Sequence, residues 1–228
     1  MRPDAPGPTP EPAPAPAPAE PARPLRWAET RALIRSDLDR LCAHLQRDSL
    51  GHRLYFALLP GFQALFWHRL ARHCLLRGWN LPARLISLFA MYLTRAELPP
   101  TSSIGPSALI AHATGVYVFG RIGARVTIQG DGGFGGGFGV DDIGAGPGYA
   151  VVGDDVVLAF GARVLGPVRI GDGVHVGPGA LVTSDVPAHA LVLWAKPRII
   201  VGGAASAPAT GPAAAPAPPA PSAPGDLR

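Results

Sequence analysis

From residue 98 onward, large aliphatic side chains recur every six positions: Leu98, Ile104, Ile110, Val116, Ile122 and Ile128, then Val152, Leu158, Val164, Ile170, Val176 and Val182. A strand repeats every two residues and a helix about every 3.6, so neither accounts for a period of six. A chain that turns a corner after each short flat face does account for it. One large side chain per face fills the interior of a narrow triangular prism. A small or β-branched residue fits the tight position two places earlier, as at Ser102, Ala108, Thr114, Ala162, Val168 and Ala180. Gly follows the anchor at Gly105 and Gly123, and again at Gly153 and Gly171, each pair eighteen residues apart, which is three faces or one turn. Sustained short repeats of this kind signal a parallel β-helix.

The two blocks stay in phase across an interruption. Gly123 to Gly153 is thirty residues, one turn of eighteen plus twelve more. The extra residues lie within 130–150, and from Gly130 the chain reads Gly-Asp-Gly-Gly-Phe-Gly-Gly-Gly-Phe-Gly. No prism face needs so much glycine, so the arm of about 130–150 is expected to protrude from the coil. Long loops on a rigid scaffold often carry function.

Residues 27–94 read as helices. Leu33, Ile34, Leu38, Leu41, Cys42 and Leu45 fall at helical spacing between charged residues in a first segment. A second segment runs from about Gly61 to Arg77, with Gly78 placed as its C-terminal stop. A third starts at Pro82, and Pro99-Pro100 ends the helical region for lack of backbone donors. The expected organisation is therefore α+β in sequence order: a Pro/Ala-rich tail at 1–24, a helical part at 25–96, the β-helix at 97–202, and a second Ala/Pro-rich tail at 203–228. Alternating Pro and Ala has little to bury, so both tails are expected to be extended and mobile.

Composition narrows the function classes. The 228 residues include 29 Gly and 27 Pro, yet Gly does not recur every third position, which rules out a collagen repeat. Only Cys42 and Cys74 are present, too few for a disulfide framework and in keeping with a reducing cytoplasm. The net charge of +4 and the lack of a long Lys/Arg run argue against a nucleic-acid partner. His68, Arg69, Arg72, His73 and Arg84 interrupt the most apolar stretch, against a membrane span. The proline-stopped N-terminus is not expected to be a signal peptide.

Several segments together resemble the serine O-acetyltransferase family of hexapeptide-repeat acyltransferases. "LLPGFQALFWHRLARHCLLRG" (Leu58 to Gly78) is similar to that family's Pro-Gly-Phe…Ala-Leu…His-Arg…His helix, and Arg47-Asp48 to the Arg-Asp before it. His112-Ala113-Thr114-Gly115 matches the family's catalytic His-Ala-Thr-Gly, and "DVPAHALVLWAKPRII" resembles its closing segment. The resemblance covers about residues 30–200. It implies a left-handed β-helix, acetyl-CoA as co-substrate in a groove between neighbouring subunits of a homotrimer, and a small-molecule acceptor. Trimers in such proteins often pair through their helical parts, giving a dimer of trimers.

The resemblance also implies site residues. His112 would be the general base and Glu97, fifteen residues earlier where the family has Asp, its orienting carboxylate. Acetyl transfer to a hydroxyl needs a base as the oxygen attacks the thioester, and imidazole suits that task. A carboxylate on its far nitrogen sets the tautomer. Asp48 and Tyr149 would lie near the acceptor, and Phe160, Pro178, Lys196 and Arg198 near the cofactor. The family's Arg-His-Pro, which grips the acceptor's carboxylate, aligns with Gly148-Tyr149-Ala150, and its small Gly-Ala against the cofactor reads Ala159-Phe160. The acceptor therefore stays open between L-serine, as in cysteine biosynthesis, and a sugar or polysaccharide hydroxyl. A third reading is a β-helix scaffold without turnover. No metal is expected: His44, His52, His68 and His73 read as packing or surface histidines. Asp48 is also a good N-cap for the segment that follows it.

Overall fold

The computed structural model describes residues 23–137 and 139–195. Lys196, Arg198 and the expected tails, apart from residues 23 and 24, lie outside the described residues. Four helices come first: α1 (Trp27–His44), α2 (Leu50–Ala57), α3 (Pro60–Leu76) and α4 (Asn80–Thr94). The hydrophobic pattern accounts for α1, α3 and α4 but not for α2. That helix exposes Leu50, Leu54 and Tyr55 and buries only Phe56, so it has no single apolar stripe to be read. Its N-cap is Ser49, whose hydroxyl accepts from the His52 N–H, and not Asp48. Pro60 opens α3, where a missing N–H costs nothing. Gly78 closes it as expected, in the left-handed conformation (φ 80°) with its N–H on the Leu75 carbonyl.

Behind the helices the chain winds into a three-faced parallel β-helix. Strands β1 (Ser103–Ile104), β4 (Arg121–Ile122), β7 (Val151–Val152) and β10 (Arg169–Ile170) stack as the first face. The second face is β2 (Leu109–Ile110), β5 (Thr127–Ile128), β8 (Val157–Leu158), β11 (His175–Val176) and β13 (Leu191–Val192). The third is β3 (Tyr117–Val118), β6 (Gly133–Gly135), β9 (Arg163–Leu165) and β12 (Leu181–Val182). All twelve residues of the six-position grid are buried. The paired glycines are needed because successive coils touch there: a Cβ on Gly105 would lie 2.5 Å from the Gly123 carbonyl oxygen. Aspartates on the same edge cap the coils, with the Ala124 N–H on Asp154 Oδ1 (2.8 Å) and the Asp154 N–H on Asp172 Oδ1 (2.7 Å).

Two details of the grid are corrected. On the third face the residue stacked under Phe134 and Val164 is Val118, not Val116. Ile110 to Val118 spans eight residues and Val118 to Ile122 four, where six and six were expected. The surplus is the turn that holds His112–Gly115. The arm is also shorter than 130–150, because Gly133–Gly135 is strand β6 in the wall and Phe134 is fully buried on the grid. Glycine is required there by crowding: a Cβ on Gly133 would lie 1.8 Å from the Tyr117 carbonyl oxygen. Among the described residues the arm proper follows β6 and returns at β7. Within it, Asp142 accepts the Gly144, Ala145 and Gly146 N–H groups, which hold its carboxyl below the usual range.

Helices and coil share one compact unit that ends at Trp194. Their junction is a buried ion pair. Arg69 donates to both oxygens of Asp37 (3.0 and 3.2 Å), to the Gly105 carbonyl (2.7 Å) and to the Ile104 carbonyl. Asp37 also accepts the Ala108 N–H at 2.9 Å. Burial pushes the Asp37 carboxyl up, against the pull of Arg69 and these N–H groups. On α3, Gly61 sits so close to β2 that a Cβ would fall 1.9 Å from the Ile110 carbonyl oxygen. His68 is buried beside this junction, with Nδ1 3.3 Å from the Leu98 carbonyl oxygen and Nε2 without a partner among the described residues. No helix among the described residues is long and apolar enough to cross a membrane.

Two stability measurements follow. Asp37→Ala leaves the Arg69 guanidinium buried without its counter-ion and is expected to cost about 3–5 kcal/mol in urea unfolding; a loss below about 1 kcal/mol would contradict the junction. Burial lowers the His68 pKa from 6.5 to about 3. The unfolded chain therefore takes up a proton that the folded chain refuses. The neutral ring's contribution is present above pH 6.5 and is lost as pH falls toward 3. Below pH 6.5 the wild type should lose up to about 1.4 kcal/mol per pH unit more than His68→Gln. Equal slopes would show that the ring is not held neutral.

Candidate functional site

The parallel register turns single residues into columns. Two positions beyond each second-face strand, at the corner leading to the third face, stand His112, Gly130, Phe160, Pro178 and Trp194, one per coil. Contacts along this edge follow the register. The Gly161 N–H donates to the Gly130 carbonyl (2.9 Å), and the Gly179 N–H to the Phe160 carbonyl (3.0 Å). A Cβ on Gly130 would lie 3.0 Å from His112 Cβ and 3.0 Å from Phe160 Cε2. Glycine at 130 thus leaves a notch, with an imidazole below and a phenyl ring above. Phe160 and Trp194 are more than half exposed, at 53% and 65%, so an apolar edge rises from the imidazole. Pro178 is exposed in the same column.

His112 is exposed, and its backbone N–H is tied to the Gln129 carbonyl at 3.1 Å. Glu97 is also exposed and is paired alongside the strand that follows the His112–Gly115 turn, opposite Tyr117. Its N–H donates to the Val116 carbonyl (2.8 Å), and its carbonyl accepts the Val118 N–H (2.9 Å). A cleft of about 380 Å³ joins Glu97 to Arg95, Gly115 and Tyr117. The two side chains that the sequence pairs do not hydrogen-bond to each other. Neither has another hydrogen-bond or ion-pair partner among the described residues.

The third face carries a cluster that the sequence reading missed. Tyr117, Gly133 and Arg163 are stacked partners on successive rungs. With no side chain at Gly133, nothing stands between the Arg163 and Tyr117 positions on this column, and the Arg163 charge acts on the Tyr117 phenol. Burial pushes the phenol up, and Arg163 pulls it the other way. Asp131, next to the notch at Gly130, faces Arg163 with Oδ2 4.0 Å from Nη2. The signal was present in the register, since residues on one column carry chemistry together.

The remaining candidates are placed elsewhere. Asp48 forms an ion pair with Arg53 at 2.6 Å, and Asp39 shares that guanidinium. Tyr149 is half-buried at the arm's return, stacked on Phe119 with ring centroids 5.5 Å apart. The bland histidine readings differ by residue. His73 is buried against the Thr30 hydroxyl at 2.8 Å, and the His52 ring lies 2.6 Å from the hydroxyl of Ser49, the α2 cap. Cys42 and Cys74 are free thiols, the first in the helical core.

Residues 149–184 match the family model described as bacterial transferase hexapeptide (six repeats). The chain is 36% identical over 143 residues to a serine acetyltransferase of Mycobacterium tuberculosis, covering 62% of this chain and 61% of that protein. It is 35% identical over 166 residues to a serine acetyltransferase of Helicobacter pylori (strain J99), covering 68% of this chain and 91% of that protein. Thus the chain spans about three fifths of the length of the first relative and nearly all of the second. Among solved structures, serine acetyltransferase isoform 3 of Entamoeba histolytica in complex with cysteine superposes with a TM-score of 0.67 at 20% identity, covering 78% of this chain and 62% of that one. The serine acetyltransferase of Neisseria gonorrhoeae in complex with serine gives 0.62 at 24% identity, covering 75% and 68%. These likenesses fix the fold as N-terminal helices followed by a left-handed parallel β-helix.

Proposed function

The chain belongs to the serine acetyltransferase family, and from that membership we propose that it moves the acetyl group of acetyl-CoA onto a hydroxyl, with L-serine as acceptor. The observation that carries the reading is the corner column: an exposed imidazole at the foot of an apolar edge, with a glycine notch directly above it. In the reaction, the hydroxyl oxygen attacks the thioester carbonyl while His112 takes its proton. The tetrahedral intermediate collapses, the C–S bond breaks, and the imidazolium returns the proton to the leaving thiolate. The products are an O-acetyl ester and CoA. Glu97 orients the ring in this scheme. Support comes from its backbone pairing with Val116 and Val118, just beyond the His112–Gly115 turn, and from the lack of any competing side-chain partner for either group among the described residues. Phe160 and Pro178 line the path of the pantetheine arm, and Lys196 and Arg198 are the candidates for the CoA phosphates. Asp48 and Tyr149 are candidates for the acceptor side.

A homotrimer is part of the proposal, because the column is an edge and becomes a groove only against a second surface. Support comes from α4, which leaves Leu81, Leu85, Leu88, Phe89 and Tyr92 about half exposed or more, a patch suited to a partner. A cytoplasmic location is part of the proposal, supported by acetyl-CoA as the acyl donor and by the two free cysteines. A second reading, acetylation of a sugar hydroxyl, is favoured by Tyr149, which stacks on Phe119 and brings no charge to the arm's return.

Thiol release from acetyl-CoA, compared for L-serine and for amino-sugar acceptors, tests both readings. Turnover is expected with serine, and His112→Asn should lower it by at least about 100-fold. Turnover with sugars alone would select the second reading. Acetyl-CoA should raise Tm with concentration through binding linkage. Neither turnover nor a Tm shift would leave only a scaffold.

A further inference from the structure

We propose that Arg163 and Asp131 form a two-charge cradle for the head group of a β-hydroxy α-amino acid, Arg163 taking its carboxylate and Asp131 its ammonium. The inference rests on acetyl transfer at His112. The pair lies outside every position that the family resemblance assigns.

Position is the first argument. Coils are stacked about 4.8 Å apart. Asp131 follows Gly130, the residue packed directly above His112, so the carboxylate starts one coil up and one residue round the corner from the imidazole. Arg163 starts one coil higher still, but its guanidinium comes down to within 4.0 Å of the Asp131 carboxylate. Both charged groups are therefore roughly 5–10 Å along the coil axis from His112. With a thioester at His112, the phosphates of acetyl-CoA are a whole pantetheine arm away. An anion held at this distance belongs to the acceptor.

Geometry is the second argument. The Arg163–Asp131 separation of 4.0 Å is longer than a direct hydrogen bond, and both side chains are half exposed, at 51% and 57%. The opposed charges face each other across a gap open to solvent. A zwitterion with both charges on one carbon matches that spacing and polarity, and each contact becomes a charge-assisted hydrogen bond. The cradle also supplies the carboxylate contact that Tyr149 does not make.

Steady-state kinetics on the full chain tests this, with L-serine, ethanolamine (no carboxylate) and 3-hydroxypropionate (no ammonium) as acceptors. Arg163→Met should raise the KM for serine at least about tenfold, the cost of one charge-assisted contact, with Arg163→Lys recovering part of it. The KM for acetyl-CoA should not follow. The preference for serine over ethanolamine should fall by a similar factor in Arg163→Met, and that over 3-hydroxypropionate in Asp131→Asn. A serine KM unchanged in both variants, or a rise in the acetyl-CoA KM instead, overturns the cradle. If the wild type turns over none of these acceptors, acetyl transfer to them fails separately, and calorimetric titration with L-serine decides the cradle. Binding that Arg163→Met abolishes supports it; no binding to the wild type overturns it.

Discussion

Main-chain hydrogen bonds from each coil to the next set every other feature of the site. The Ala111 N–H meets the Ile128 carbonyl, the Gln129 N–H the Leu158 carbonyl, and the Ala159 N–H the Val176 carbonyl, at 2.9–3.0 Å. Because these bonds lock the register, a residue's place on one coil decides what stands above and below it. His112, Gly130 and Phe160 meet for that reason, although up to 48 residues separate them. The same rule brings Tyr117 and Arg163 together across Gly133. A stacked coil cannot move one of these groups without shifting its neighbours, which is the rigidity a reacting centre needs.

The helices hold the lowest coil, where His112 sits. Arg69 and Asp37 reach from α3 and α1 to the backbone on both sides of the first corner, at Ile104, Gly105 and Ala108. An end coil has only one neighbour to hydrogen-bond with. The helical side chains supply the missing partners, and Gly61 lets α3 lie directly on β2. The buried pair serves as a clamp in the geometry of the site's foundation, not as part of its chemistry.

Much of the coil was legible because a narrow prism tolerates one size of side chain at one spacing, and eleven of the twelve aliphatic anchors satisfy it. The departures are equally physical. Val118 replaces Val116 in the stack because the His112–Gly115 turn adds two residues, and a period count does not show which corner absorbs an insertion. The glycines of β6 suggest a loop by composition, yet they belong to the wall because the neighbouring backbone leaves no room for a Cβ. Helix α2 was hidden because its apolar residues face outward. His112 and Phe160 were singled out from motif positions, and the register stacks them on one corner on either side of Gly130. The charged pair on the third face was not, because Asp131 and Arg163 are neighbours only after the arm has been excised from the count.

A crystal structure of the complex with CoA is the most direct measurement of the central claim, that the His112 column is where the thioester reacts. The account requires the CoA sulfur beside the His112 ring and the pantetheine chain passing Gly130 and Phe160 toward Pro178. CoA bound on another face of the coil, or with its sulfur remote from His112, would contradict it.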